Sequence, residues 1–214
     1  LLGAIWEAPS VVDPHLRELM RLEFLYERTR AAEPVFVFRH ALTQEVAYES
    51  LLKQRRREIH GRIARAIEEL YAQRLEPHYE LLAHHYERSG NSEKAIEYLI
   101  LAAEKSNQNK AVQVAYDFFG QALKVAESSH ISLDPDKARR IHQGLASASV
   151  DIGDIISALE NYRKAMEVCQ KHGVIAGEIE ILVEIGWAKW FTPMERGEAI
   201  RSYDEGITRA REVG

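Results

Sequence analysis

Ala95-Ile96-Glu97-Tyr98-Leu99-Ile100-Leu101-Ala102 is the stretch that decides the reading of the fold. Its outline is Ala-x3-large-x2-small, and the outline returns as Ala115/Phe119/Ala122, Ala158/Tyr162/Ala165 and Ala199/Tyr203/Gly206. Steps of four and three put the three residues on one face of a helix. Two small residues flanking a large one let a second helix come close. A chain that repeats this device is expected to be an all-α stack of antiparallel helical hairpins, an architecture that binds partners more often than it catalyses.

Composition agrees with a packed helical protein. Of 214 residues, 46% are hydrophobic and 29% charged, and the net charge is −5. The acidic excess falls after residue 75, which marks a change of character there and argues against nucleic-acid binding by the later part. The single cysteine, Cys169, allows no internal disulfide and suits a reducing cytoplasm. It extends the stripe Ile155, Leu159, Tyr162, Met166 and is expected to be a buried small hydrophobe. No apolar run of 18 residues is present, so no membrane-spanning helix is expected. A start at Leu1 without a basic, signal-like segment, and an end within a repeat, read as a piece of a longer chain.

Working outward, residues 1–75 form the first expected domain. Asp13-Pro14 predicts a helix start, with Leu16, Leu19 and Met20 on its apolar side. Phe24-Leu25-Tyr26 and Val35-Phe36-Val37-Phe38 suit a two-stranded hairpin. Helices follow at 42–53, with Leu42, Val46 and Leu51 inward, and at 55–73, with Ile59, Ile63, Ile67 and Leu70 inward. Helix, hairpin and helix make a small winged-helix-like unit. Residues 76–214 form the second expected domain. Its helices are predicted near 77–89, 92–108, 111–128, 135–152, 155–171, 175–190 and 194–212. Gly90 and Gly153 end helices, Asp134-Pro135 starts one, and Thr192, Pro193 and Glu195 form a capping box.

Two resemblances rest on these residues. Tyr79, Leu82, Ala83, Tyr86, Gly90, Ala95, Leu99 and Ala102 fall on the signature positions of a tetratricopeptide (TPR) repeat, with Leu99 where an aromatic residue is usual. His142, Leu145, Ala146, Ser149, Gly153, Ala158, Tyr162 and Ala165 follow the same pattern more loosely, as do Leu182, Ile185, Gly186, Ala199, Tyr203 and Gly206. The steps from Ala115 to Ala158 and on to Ala199 exceed the usual period of about 34 residues. The helix bearing Ala115 lies so close behind Ala95 that it has no first helix of its own. The resemblance therefore implies a TPR-like α-solenoid with extended, irregular repeats.

The second resemblance is carried by Val37-Phe38-Arg39-His40-Ala41-Leu42-Thr43-Gln44-Glu45-Val46-Ala47-Tyr48-Glu49-Ser50-Leu51-Leu52 and Arg56-Arg57-Glu58-Ile59-His60. It resembles the segment after the ATPase core of bacterial STAND-type, AAA-like signalling proteins, many fused to a nucleotide cyclase or a transcription-regulator domain. There the order is NTPase, winged helix, TPR array. The resemblance implies that His40 contacts the ADP phosphate in a complete protein, an imidazole N–H being a good donor to phosphate oxygen. Ala41 follows where related branches have Asp. ATP or ADP and Mg would belong to an NTPase domain elsewhere.

Nothing in the chain itself predicts catalysis. It has no phosphate-binding G-x4-G-K-[ST], no G-x-G-x-x-G and no H-E-x-x-H. His78 and His85 are two turns apart, too far for two ligands on one ion, and Cys169 and His172, three apart, are a lone pair, so no cofactor or metal is expected here. Arg55-Arg56-Arg57 opens a helix and is followed by Glu58, which suits a solvated face or a contact with the NTPase domain better than a DNA-reading wing. Carried over by position, the first helices of the hairpins line a groove for a protein or peptide. Its lining would be Glu80, His84 and Glu87, then Arg140, Gln143 and Ser147, then Val183, Trp187 and Trp190. Trp187, Trp190 and Phe191 also suit packing against further repeats. Apolar Leu1, Leu2, Ile5 and Trp6 suit a contact between copies. The expected function is a non-enzymatic regulatory arm of a STAND ATPase. The alternatives are a freestanding TPR adaptor and a DNA-binding winged-helix regulator.

Overall fold

The computed structural model describes residues 9–30, 33–190 and 196–213. The residues Leu1, Leu2, Ile5, Trp6 and Phe191 and the capping box at 192–195 lie outside them. The chain divides into two compact units, Leu1–Asn91 and Ser92–Gly214. The residues read as the first TPR repeat, 79–102, are thereby shared between the two units.

The first unit opens with α1, Pro9–Arg21. It begins before the expected start at Asp13-Pro14, and Pro14 lies inside it. Pro9 supplies the first-position proline instead, and a second proline this near the N-terminus forfeits only one ladder bond. The helix closes on Glu23 at a left-handed φ of 62°, with Phe24 N–H donating to the Leu19 carbonyl at 2.9 Å. Strands β1 (Leu25–Arg30) and β2 (Glu33–Phe38) then pair antiparallel as predicted, Leu25 opposite Phe38 and Arg30 opposite Glu33. Leu25 is buried.

Helix α2, Ala41–Glu49, contains no buried residue. Leu42 is 69% and Val46 61% exposed, so the inward face predicted for them is wrong. Helix α3, Lys53–Leu70, buries His60, Ala64, Ala66 and Ile67. Its predicted stripe is rotated: Ile59 and Ile63 are half-buried and Leu70 is exposed. Four isoleucines and leucines at helical spacing suggest the stripe. Small Ala64 and Ala66 admit the neighbouring helix instead. That neighbour is α4, Tyr79–Ser89, reached through a 3-10 turn at Glu76–His78. It buries Leu82, Ala83 and Tyr86, and the Tyr86 hydroxyl donates to the Glu68 carboxylate.

The described residues of the second unit form three helical hairpins. They are α5 (Ser92–Gln108) with α6 (Val112–Ser128), α7 (Pro135–Ile152) with α8 (Ile155–His172), and α9 (Ile175–Trp190) with α10 (Arg196–Val213). The expectation that the Ala115 helix lacks a first helix is overturned, because α5 is that helix. The hydroxyls of Ser92 and Ser129 meet at 2.7 Å across the open end of this hairpin. Each second helix also packs on the next first helix, α6 on α7 and α8 on α9.

The recurring outline is the core of this unit. Ala95, Leu99, Ala102, Ala115, Phe119, Ala122, Ala158, Tyr162, Ala165 and Ala199 are all buried. Cys169 is fully buried with them, as predicted, and its thiol pKa is pushed up by burial. The large residues find glycines opposite. A Cβ on Gly144 would stand 2.2 Å from the Phe119 ring, and one on Gly186 would stand 2.9 Å from Tyr203. Turn chemistry holds as read: Asp134 caps α7 by accepting from Lys137 N–H at 2.9 Å, and α7 ends on Gly153 at φ 93°.

Candidate functional site

Successive first helices of the second unit touch one another, α5 with α7 and α7 with α9. They line a shared inner face with a cavity of about 370 Å³. Glu104 from α5, Arg139, Arg140, Gln143 and Ser147 from α7, and Glu180 and Glu184 from α9 border it. Helical periodicity explains the choice. Positions 140, 143 and 147 share one stripe of α7, and 180, 184 and 187 share one stripe of α9.

The arginines are held in place. Arg140 donates Nε to Glu104 Oε1 at 2.8 Å and Nη2 to Oε2 at 2.7 Å, a bidentate pair between α7 and α5. That carboxylate holds the guanidinium pKa above its ordinary value. Arg139 donates to Gln143 Oε1 at 2.7 Å and to Asp136 at 3.1 Å, and lies 3.8 Å from Glu180. Gln143 passes its amide N–H to Glu184 Oε1 at 3.0 Å. The other oxygen, Glu184 Oε2, is buried with no hydrogen-bond partner. Burial, the largest cause, raises the pKa of Glu184, and Glu180 nearby adds to the effect. Burial and this carboxylate together push the Tyr162 hydroxyl pKa upward. The face thus presents guanidinium and amide donors and carboxylate acceptors held in fixed positions.

Arg140, Gln143 and Ser147, read from the sequence as lining a groove, border one cavity in the structure. Trp187 and Trp190 are 56% and 45% exposed on α9, and Val183 is exposed beside them. Two turns of helix carry Glu180, Glu184 and Trp187 in line. Glu80, His84 and Glu87 belong to α4 in the first unit. There the His84 ring sits edge-on to His60 and His85, with centroids at 6.0 and 5.3 Å. His40 occupies the N-cap of α2 in extended backbone, φ −126° and ψ 128°. Its carbonyl accepts from Thr43 and Gln44, and its ring is exposed without a capping hydrogen bond. Sequence reasoning missed Glu104, Arg139, Glu180 and Glu184. The short step from Ala95 to Ala115 was the available signal, since it is the step from one helix to its hairpin partner and makes 92–108 a first helix.

Another cavity, of about 780 Å³, lies among α8, α9 and α10. Leu159, Met166, Leu182 and Ile185 line it, beside the buried Glu178 paired with Arg209 at 3.2 Å. Among the described residues no group of three or more His, Cys, Asp or Glu is arranged to hold a metal ion, and no helix is long and apolar enough to cross a membrane.

No protein-family profile matches the chain. An uncharacterized protein of Rhizobium meliloti is 27% identical over 159 residues, covering 72% of this chain. The chain spans 15% of that relative's length. Among solved structures, the chain is similar to BtubC (BKLC) from P. vanneervenii, with a TM-score of 0.51 and 16% identity over 76% of this chain and 75% of that one. MamA aligns with a TM-score of 0.43 and 16% identity over 75% of this chain and 94% of its own. The likeness to BtubC extends to the helical fold alone.

Proposed function

We propose that this chain is a non-catalytic regulatory and protein-binding segment of a larger STAND-type ATPase signalling protein, and that the inner face of α5, α7 and α9 holds a protein or peptide ligand. In this reading the second unit is a TPR-like array and the first carries the winged-helix-like segment. The observation that carries the binding role is the cavity built jointly by three successive first helices. Its charges are fixed by cross-helix bonds, so little side-chain freedom is lost when a ligand docks. The much longer Rhizobium relative supports a multidomain context. In that context His40 faces an ADP phosphate, the NTPase domain supplies ATP or ADP and Mg, and nucleotide state is coupled to partner binding in a cytoplasmic protein.

Peptides selected from a random display library provide the test of the binding role. Affinity for Arg140→Glu and Trp187→Ala is expected to fall at least about tenfold by calorimetry, roughly 1.4 kcal/mol. Lys124→Glu on α6 is expected to leave it unchanged. Binding that survives both inner-face substitutions would overturn the assignment of the face. The ATPase context is tested separately: a gene with no phosphate-binding loop upstream of the codon for Leu1 removes it and leaves the adaptor reading.

A further inference from the structure

The inner face carries its two signs of charge differently. Among the described residues that line its cavity of about 370 Å³, Glu104, Glu180 and Glu184 stand against Arg139 and Arg140. Asp136 at the rim adds a further carboxylate to both arginines, 3.1 Å from Arg139 Nη2 and 3.6 Å from Arg140 Nη1. The other two nitrogens of the Arg140 guanidinium lie on Glu104 at 2.8 and 2.7 Å. The positive charge of the face is therefore matched inside the protein. A ligand carboxylate could reach Arg140 only by displacing Glu104 or Asp136 and leaving that group without its cation.

The negative charge on α9 is matched less closely. Glu184 accepts from the neutral Gln143 amide at 3.0 Å, and the Glu180 carboxylate, 62% exposed, stands 3.8 Å from Arg139. Glu180 and Glu184 are one turn apart on α9, a like-charge spacing that weakens a helix. Burial, the largest cause, and the charge of Glu180 hold Glu184 above its ordinary value. A cation beside the pair counters their repulsion. The next turn of the same stripe presents Trp187, 56% exposed, with Val183 and Trp190 exposed nearby. An indole is the best aromatic partner for a cation, and its apolar body packs along the stem of a long basic side chain.

We propose, on the reading of the inner face as a protein-binding surface, that its partner is a basic peptide segment, with one arginine or lysine side chain seated by Glu180 and Glu184 and its stem against Trp187. The cavity lies near the lower end of the range for ligand pockets, about 300–1,000 Å³, which suits side chains of an extended segment. An acidic segment meets the excess of carboxylates and arginines already engaged.

Selection of the full chain against a random peptide display library tests the sign of the ligand. Recovered peptides are expected to share an arginine or lysine, and its replacement by glutamine is expected to lower affinity at least about tenfold by calorimetry. Glu184→Gln and Glu180→Gln each remove one charge at nearly constant shape. Each is expected to weaken binding at least about threefold, and the pair to flatten the fall of affinity between about 0.05 and 0.5 M salt. Glu127→Gln, at an exposed position of α6, is expected to change affinity less than about twofold. If Glu184→Gln does not fold, Glu180→Gln at its exposed position decides. Peptides that require Trp187 but carry no basic residue, or binding indifferent to the carboxylate substitutions, would overturn the basic ligand and leave the face as a binding surface. A library that yields no peptide requiring Trp187 would remove the face itself, and the basic ligand with it.

Discussion

In the second unit a bulky ring lies against a position with no side chain, Phe119 over Gly144 and Tyr203 over Gly186, and alanines fill the remaining contacts. In the first unit the corresponding contact between α3 and α4 is made partly of imidazole, with His60 against His85 and His84, and α2 joins it by the Tyr48 hydroxyl and two guanidinium groups. Contacts of the first kind depend on shape and contain no imidazole. Contacts of the second kind depend on proton occupancy. The two units should therefore answer different perturbations, volume changes in one and acid in the other.

The largest effect expected of that difference comes from Phe119→Ala. The ring is 2% exposed, and truncation should cost about 3–5 kcal/mol in denaturant unfolding. A loss below about 1 kcal/mol would break the apolar account of the second unit. Next comes the glycine opposite. Gly144→Ala should cost about 1–3 kcal/mol, because the new methyl meets the Phe119 ring. Gly120→Ala on α6 meets nothing within 4 Å, and should stabilise by about 0.5–1 kcal/mol through helix propensity. Equal effects at the two glycines would show that propensity, not close approach, sets Gly144.

Smaller effects sharpen the comparison. Ser149 is buried on α7 with its hydroxyl unpaired, so Ser149→Ala should be neutral or stabilising by up to about 1 kcal/mol in thermal unfolding. The smallest change belongs to the first unit. Val46→Ser removes an exposed methyl pair from α2 and should move stability by no more than about 0.5 kcal/mol. A larger loss would mean that α2 is held by its apolar face and not by Tyr48.

Part of the candidate inner face is legible in the sequence. Arg140, Gln143 and Ser147 share a helical stripe, and so do Val183, Trp187 and Trp190, and periodicity reads stripes reliably. Which stripes meet is not legible there. Pairing 79–89 with 92–108 as one hairpin leaves Glu104 out of the groove and places His84 in it. The difference between that pairing and the observed α5–α6 hairpin lies in long-range packing, which no local pattern encodes.

The sequence alone determined the helix positions of the second unit, the β hairpin at Leu25–Phe38 and the buried state of Cys169. Each is a local property: a capping residue, an alternation, a periodic stripe. Only the tertiary structure decided that α2 exposes Leu42 and Val46, that Phe119 requires Gly144, and that Tyr48, His60 and His85 form one line. Those residues lie far apart in the chain. Their meeting depends on which helix faces which, and that is set by the summed packing of whole helices.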